Sequence, residues 1–308
     1  MKINEERVPH YKLKKVPINE ILKKVSINRD HLKEKNTWYM INGKLCFFKP
    51  RNDYRILGEL ISSDIQSSLG MDPVIYELAY INNELGLVCE NFQTPSNGYY
   101  HAMDLYRPSI SSIKSWGPYS FKSLYDYFEV KIKDPALLEK IRTQLAELFI
   151  CDYLTHQEDR NYNNIIFQMK VNGITHELGK IPSIHGKDII DISLAKIFDN
   201  EKCFSIGRDG VYDYNLNKEW DSAFLATPDT QKGFYEDGID KNLFDFYCEY
   251  TDLSKPFMEK IVDEFDSKKI LEKFQQGNSQ VIIKPKNVSY IDSLLTNRQE
   301  GIFKILNM

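Results

Sequence analysis

The chain has 308 residues, 42% of them apolar and 27% charged, with 40 Lys and Arg against 44 Asp and Glu for a net charge of −4. This is the balance of a folded chain, about twice the length of a typical single domain, so two lobes with separate cores are expected. Its acidic pI near 5.9 excludes the broad positive field that sequence-independent nucleic-acid binding needs. No apolar run reaches the roughly 18 to 20 residues of a membrane span. The start, MKINEERVPHYKLKK, lacks the apolar core of a secretory signal, which gives a cytoplasmic expectation and leaves secretion as an effector open. Cys46, Cys89, Cys151, Cys203 and Cys248 are odd in number, widely spaced and mostly set in apolar stretches. They are expected to be buried, reduced thiols, since they form neither a zinc pattern nor a disulfide framework.

The first predicted element is a hairpin over 38–49. Asn42-Gly43 is the favoured two-residue turn because both central positions need positive φ. Strand alternation puts Leu45, Phe47 and Lys49 on one face and Cys46 and Phe48 on the other, and Pro50 ends the strand. A helix follows over about 56–69, with Leu57, Ile61, Ile65 and Leu69 in one stripe and Gly70 placed to end it. Glu59 lies well off that stripe, where an ordinary exposed helical acid is the alternative to a functional role. Strands are predicted over 74–81 and 85–89, so residues 1–92 read as a small mixed α/β N-lobe.

Residues 93–121 are rich in Ser, Pro, Gly and Tyr and read as an inter-lobe connector. The remainder, 122–308, reads as a larger, mainly helical C-lobe. Asp134-Pro135 starts a strong helix, with Asp as N-cap and Pro in the first turn. A short hairpin over 165–171 turns at Asn172-Gly173. Further helices are predicted over about 241–249, 255–265 and 287–307. The fold class is therefore α+β.

Chemistry concentrates in four places. Residues 156–167 leave an apolar helix and enter a strand, which holds the polar loop with Asp159 and Asn164 between rigid elements. In such a loop a carboxylate can meet a substrate hydroxyl while an amide oxygen five residues on binds a metal. The alternative is a loop whose Asx side chains satisfy their own backbone. Asp199 ends a short apolar run, where a magnesium-binding acid would be anchored and open to a cleft. Lys49 ends a strand and Glu59 lies on the next helix. A strand Lys, a helix Glu, a loop with Asp and Asn and then a strand-end Asp are the parts of a protein-kinase-like phosphotransferase, in order.

The chain also resembles the HipA-like bacterial serine/threonine kinases, within them the CtkA-like branch. The resemblance rests on the hairpin segment ending at Lys49-Pro50, on Gly58-Glu59 through Ser68-Leu69-Gly70, on Glu158-Asp159-Arg160 with Asn164, and on the run from Leu194 to Asp199. Similar motifs occur more distantly in type II phosphatidylinositol 4-kinases and the actin-fragmin kinase. The resemblance implies a two-lobed protein-kinase-like fold and transfer from ATP with Mg2+ to a Ser or Thr of a protein, with autophosphorylation. It also implies a possible toxin or effector role, with a cognate antitoxin or host protein as partner.

On this resemblance Lys49 contacts the nucleotide phosphates, Glu59 holds Lys49, Asp159 is the catalytic acid–base group, and Asn164 and Asp199 bind the metal. The strand end at 88–92 would pair with adenine through Glu90 and Phe92, or is simply a strand entering a loop. Two positions depart from the family pattern. Asn161 stands where His usually follows the catalytic Asp-Arg, and residues 28–36, in the place of a phosphate-covering loop, contain no glycine. The other functions considered are a lipid or small-molecule kinase and an inactive pseudokinase binding module. The joint presence of Lys49, Asp159, Asn164 and Asp199 counts against the second.

Overall fold

The structure is a computed structural model that describes residues 14–15, 24–25, 37–50, 55–81, 84–93, 98–106, 121–157, 160, 162–174, 188–201, 203–207, 210–211, 230–236, 239–275 and 285–308. Among the described residues the fold is mixed α/β. Two-residue strands β1 (Lys14–Lys15) and β2 (Lys24–Val25) precede β3 (Thr37–Ile41) and β4 (Lys44–Pro50). The β3–β4 hairpin turns at Asn42 and Gly43 with φ of 52° and 76°, the left-handed backbone that an Asn-Gly pair accommodates best. Next come helix α1 (Arg55–Ser68) and strands β5 (Glu77–Ile81) and β6 (Glu84–Glu90). Together they form a six-stranded sheet of order β1-β5-β6-β4-β3-β2, antiparallel except where β1 joins β5.

Alternation in β4 sends Cys46 and Phe48 into a small cluster with Ile41, Ala79, Ile81 and Val88. Phe47 packs on the other side, against the main core. Helix α1 lays Leu57, Ile61 and Ile65 into that core beside Leu78, Leu85 and Leu87. It stops at Gly70 (φ 76°), where the Met71 N–H donates to the Gln66 carbonyl, a glycine-terminated end that satisfies open carbonyls. Lys260 Nζ donates to the Leu69 carbonyl at the same end, 2.9 Å away.

Within the span expected as a connector the structure places strand β7 (Gly98–His101) and helix α2 (Ala102–Tyr106). Helix α3 (Phe121–Lys131) and the long α4 (Pro135–Leu154) follow. Asp134 caps α4 by accepting from the Ala136 N–H, as Asp-Pro predicts. Strand β8 (Ile166–Val171) pairs with β7 on one side and with β9 (Ile189–Leu194) on the other, giving a three-stranded antiparallel sheet.

Two small hairpins, β10 (Ile206–Gly207) with β11 (Gly210–Val211) and β12 (Thr230–Glu236) with β13 (Ile239–Asn242), lead to helices α5 (Leu243–Glu249), α6 (Thr251–Glu264), α7 (Ser267–Gln275) and α8 (Pro285–Leu306). Instead of the separate cores expected from chain length, one continuous apolar core runs from Ile56 of α1 through Phe149 of α4 to Ile305 of α8. Cys46, Cys89, Cys151 and Cys203 are buried free thiols, as expected, whereas Cys248 is exposed. Burial pushes the Cys89 and Cys203 thiols up to about 12. No described helix is long and apolar enough to cross a membrane.

Candidate active site

The side of β4 that faces α1 carries Lys49, which is only 5% exposed. Its Nζ lies 2.7 Å from Glu59 Oε1, 2.5 Å from Asp199 Oδ1 and 3.0 Å from Glu201 Oε2. An ammonium has three N–H donors, and three carboxylates surround this one. Burial alone would lower the Lys49 pKa, but Glu59, Asp199 and Glu201 together outweigh it and hold the ammonium well above its ordinary range.

Glu59 is not the ordinary exposed helical acid of the alternative reading: it is 0% exposed. Helix α1 is buried on two faces, not one. Beside the apolar stripe, Gly58, Glu59, Ser62, Ser63 and Gln66 are also buried, and this face meets Asn200 and Glu201. A Cβ on Gly58 would stand 2.7 Å from the Asn200 carbonyl oxygen and 2.9 Å from that of Glu201, so only glycine permits this approach. Burial pushes the Glu59 carboxyl up, against the opposite pull of Lys49 and of the Asn200 N–H that donates to Oε2 at 2.8 Å.

Asp199 closes the cluster from the other side. The chain reaches it through a parallel bridge, with the Val74 N–H donating to the Ile197 carbonyl and the Ile197 N–H to that of Asp72. Asp199 has φ of 59°, an unusual backbone for a non-glycine residue. The Gln157 amide donates to its carbonyl at 2.9 Å. Its side chain is 29% exposed, the most open of the four charged groups.

Arg160 organises the neighbouring loop. It is buried, and Nε and Nη2 each donate to Asp152 of α4 at 2.8 Å. Nη2 also reaches Asn200 Oδ1 at 2.8 Å. Nη1 lies 2.7 Å from the Phe198 carbonyl and 3.4 Å from that of Asn164. One guanidinium nitrogen thus brings the backbones at Asn164 and next to Asp199 together. The loop is fixed further by the Ala102 N–H donating to Ile165 and by His101 Nδ1, 2.6 Å from the Asn163 carbonyl.

The predicted residues therefore sort as follows. Lys49, Glu59 and Asp199 meet directly, and the Asn164 backbone carbonyl lies near Arg160 Nη1. Glu90 ends β6 with its carboxylate on Lys44 Nζ, 2.6 Å away, and not in the cluster. Phe92 stacks edge-on to Tyr99, whose hydroxyl donates to the Phe92 carbonyl. Asp159, Glu158, Asn161 and the segment 28–36 lie outside the described residues. Sequence reasoning missed Asp152, Asn200, Glu201 and Gln66. An acid on the apolar face of α4 was a signal for a buried cationic partner, and a second acid two residues after Asp199 was another.

Glu59, Asp199 and Glu201 each offer one oxygen within 4.8 Å of the others. These oxygens already surround the Lys49 ammonium; an all-oxygen set is the type a hard divalent cation takes, and Asp199 is its most accessible member.

A buried strand lysine paired with a helix glutamate and facing an aspartate thus sits on a mixed α/β scaffold. Among solved structures, the chain is similar to the crystal structure of CtkA, a proinflammatory kinase of Helicobacter pylori. The TM-score is 0.65 and the identity 16%, over 90% of this chain and 94% of that one. It is also similar to a structure of the Shewanella oneidensis MR-1 toxin–antitoxin system HipA, HipB with its operator DNA, at a TM-score of 0.49 and 11% identity, over 90% of this chain and 64% of that one. The fold is thus that of the CtkA kinase. No protein-family model matches the chain, and no curated protein matches it.

Proposed function

We propose that this chain is an ATP- and magnesium-dependent phosphotransferase acting on a Ser or Thr hydroxyl of a protein, itself included. In this reading the sheet around β4 and the helices after residue 121 are two lobes with nucleotide between them. The observation that carries it is the buried Lys49–Glu59 pair directed at Asp199. Lys49 would neutralise the nucleotide phosphates and Glu59 would hold it extended. Asp199 and Asn164 would hold the magnesium, which neutralises phosphate charge when bound. Glu90 and Phe92, at the end of β6, would face the adenine. Asp159 would take the proton of the acceptor hydroxyl as its oxygen bonds to the γ-phosphorus and the bond to the bridging oxygen of ADP breaks. The resemblance to HipA-like kinases supports a toxin or effector role with an antitoxin or host protein as partner.

The test is incubation with ATP and magnesium, read by intact mass. One or more added phosphoryl groups, absent without magnesium, is the expected result. No transfer to the protein or to an added Ser/Thr-rich protein would overturn it. A second reading, a binding module of the same fold, draws on Lys49 being surrounded by three carboxylates. It predicts neither transfer nor magnesium-dependent nucleotide affinity.

A further inference from the structure

Resting on the phosphotransferase reading, we propose that Asn200 is a positioning residue that fixes Glu59 of α1 to the loop held by Arg160. Asn200 is fully buried and connects both sides of the site. Its N–H donates to Glu59 Oε2 at 2.8 Å while Glu59 Oε1 receives Lys49, so both oxygens of that carboxylate are fixed. Its Oδ1 receives Arg160 Nη2 at 2.8 Å. Its amide and that of Gln66 face each other, with N···O of 3.4 Å in both directions. Its carbonyl abuts Gly58.

An amide is the side chain this position demands. It must accept from Arg160 and both donate to and accept from Gln66. An aspartate would add a carboxylate beside Glu59, Asp199 and Glu201. A leucine would leave Arg160 Nη2 and the Gln66 amide short of partners in a buried setting. Without the side-chain anchors, the backbone N–H that aligns Glu59 is free to shift, and the Lys49 ammonium shifts with it relative to Asp199.

The test compares Asn200→Ala, Gln66→Met and the double variant by single-turnover transfer, ATP affinity and amide hydrogen exchange of the full chain. Transfer in Asn200→Ala should fall on the order of 10- to 10²-fold, the scale of a small misplacement, with ATP affinity changed about 3-fold or less. Gln66→Met should act in the same direction with a smaller loss. The double variant should be no worse than Asn200→Ala, because that variant has already lost the amide pair. Exchange should quicken together over 55–68 and 196–204. Wild-type transfer and unchanged exchange in Asn200→Ala would overturn the proposal. If Asn200→Ala fails to fold, Gln66→Met alone decides: loss of transfer with faster exchange in both segments supports the proposal, and wild-type values overturn it. A wild-type protein that transfers nothing refutes the phosphotransferase reading instead, and the exchange arm still reports whether Asn200 couples the two segments.

Discussion

Arg160 and Asp152 form a two-pronged ion pair with both side chains fully buried. Burial pushes the Asp152 carboxyl up while the guanidinium pulls it down, and the carboxylate in turn holds the Arg160 guanidinium firmly charged. Removing one partner strands the other charge out of water. Asp152→Ala should therefore cost about 3–5 kcal/mol of stability, read as a lower urea midpoint with an unchanged slope. Arg160→Lys should also be damaging, since an ammonium cannot reproduce the fork that reaches Asp152, Phe198 and Asn200 together. A loss below about 1 kcal/mol in Asp152→Ala, the scale of a surface pair, would contradict the buried geometry.

The Lys49 environment fixes a pH dependence with a definite sign. Its folded pKa is raised above the ordinary 10.5 by Glu59, Asp199 and Glu201 against the opposing effect of burial. The folded state thus holds this proton more tightly than the unfolded chain. Its contribution to stability is fully present below about pH 10.5 and is lost as pH rises through the folded value. Buried Tyr76, whose phenol burial pushes up, loses its contribution in the same direction. Urea melts of wild type and Lys49→Met between pH 7 and 11 separate the two. The difference between the proteins should be flat to about pH 10 and shrink above it. A difference that grows with pH would refute the assignment.

Gly58→Ala sets two effects against each other. Helix propensity alone favours alanine by about 1 kcal/mol. The new Cβ, however, would stand 2.7 Å and 2.9 Å from the carbonyl oxygens of Asn200 and Glu201, so α1 or the Asp199 segment must move. The expected outcome is a lower melting temperature and nucleotide affinity reduced about 10-fold or more, the latter because Glu59 follows its helix. A stabilised variant with wild-type affinity would show that α1 does not approach this segment so closely.

The elements legible in the sequence were those whose signal is local. Asn42-Gly43 specified the β3–β4 hairpin, the i+4 stripe from Leu57 to Leu69 specified α1, and Asp134-Pro135 specified the start of α4. Lys49, Glu59 and Asp199, singled out for their order along the chain, lie together. What escaped was non-local. The burial of Glu59 was not legible because an apolar stripe reports only a face buried against carbon. The second face of α1 is buried against the Asn200 backbone N–H, 141 residues from Glu59, and the Asn200 side-chain amide, 134 residues from Gln66. Strand β7 escaped because Gly98-Tyr99-Tyr100-His101 lies in a turn-rich stretch and becomes a strand by pairing with β8.

The sharpest prediction concerns Asp159 and Asn164, whose assigned roles differ. A base, or a group that orients the acceptor hydroxyl, acts chiefly in the transition state, not in holding ATP. Asp159→Asn keeps size and much of the hydrogen bonding but removes the charge that takes the proton. Nucleotide affinity should change little while transfer falls on the order of 10² to 10⁴-fold. Asn164 stands two residues before β8, its carbonyl 3.4 Å from Arg160 Nη1, so Asn164→Ala keeps that backbone contact and loses the side-chain amide with its oxygen. It should therefore lower transfer and also raise the magnesium concentration needed for half-maximal rate, a shift that Asp159→Asn should not show. Titrating magnesium in single-turnover assays of both variants separates the roles. Full transfer in Asp159→Asn would reject Asp159 as the catalytic group. An unchanged magnesium requirement in Asn164→Ala would remove Asn164 from the metal site and leave Asp199 with its neighbouring carboxylates to hold the ion.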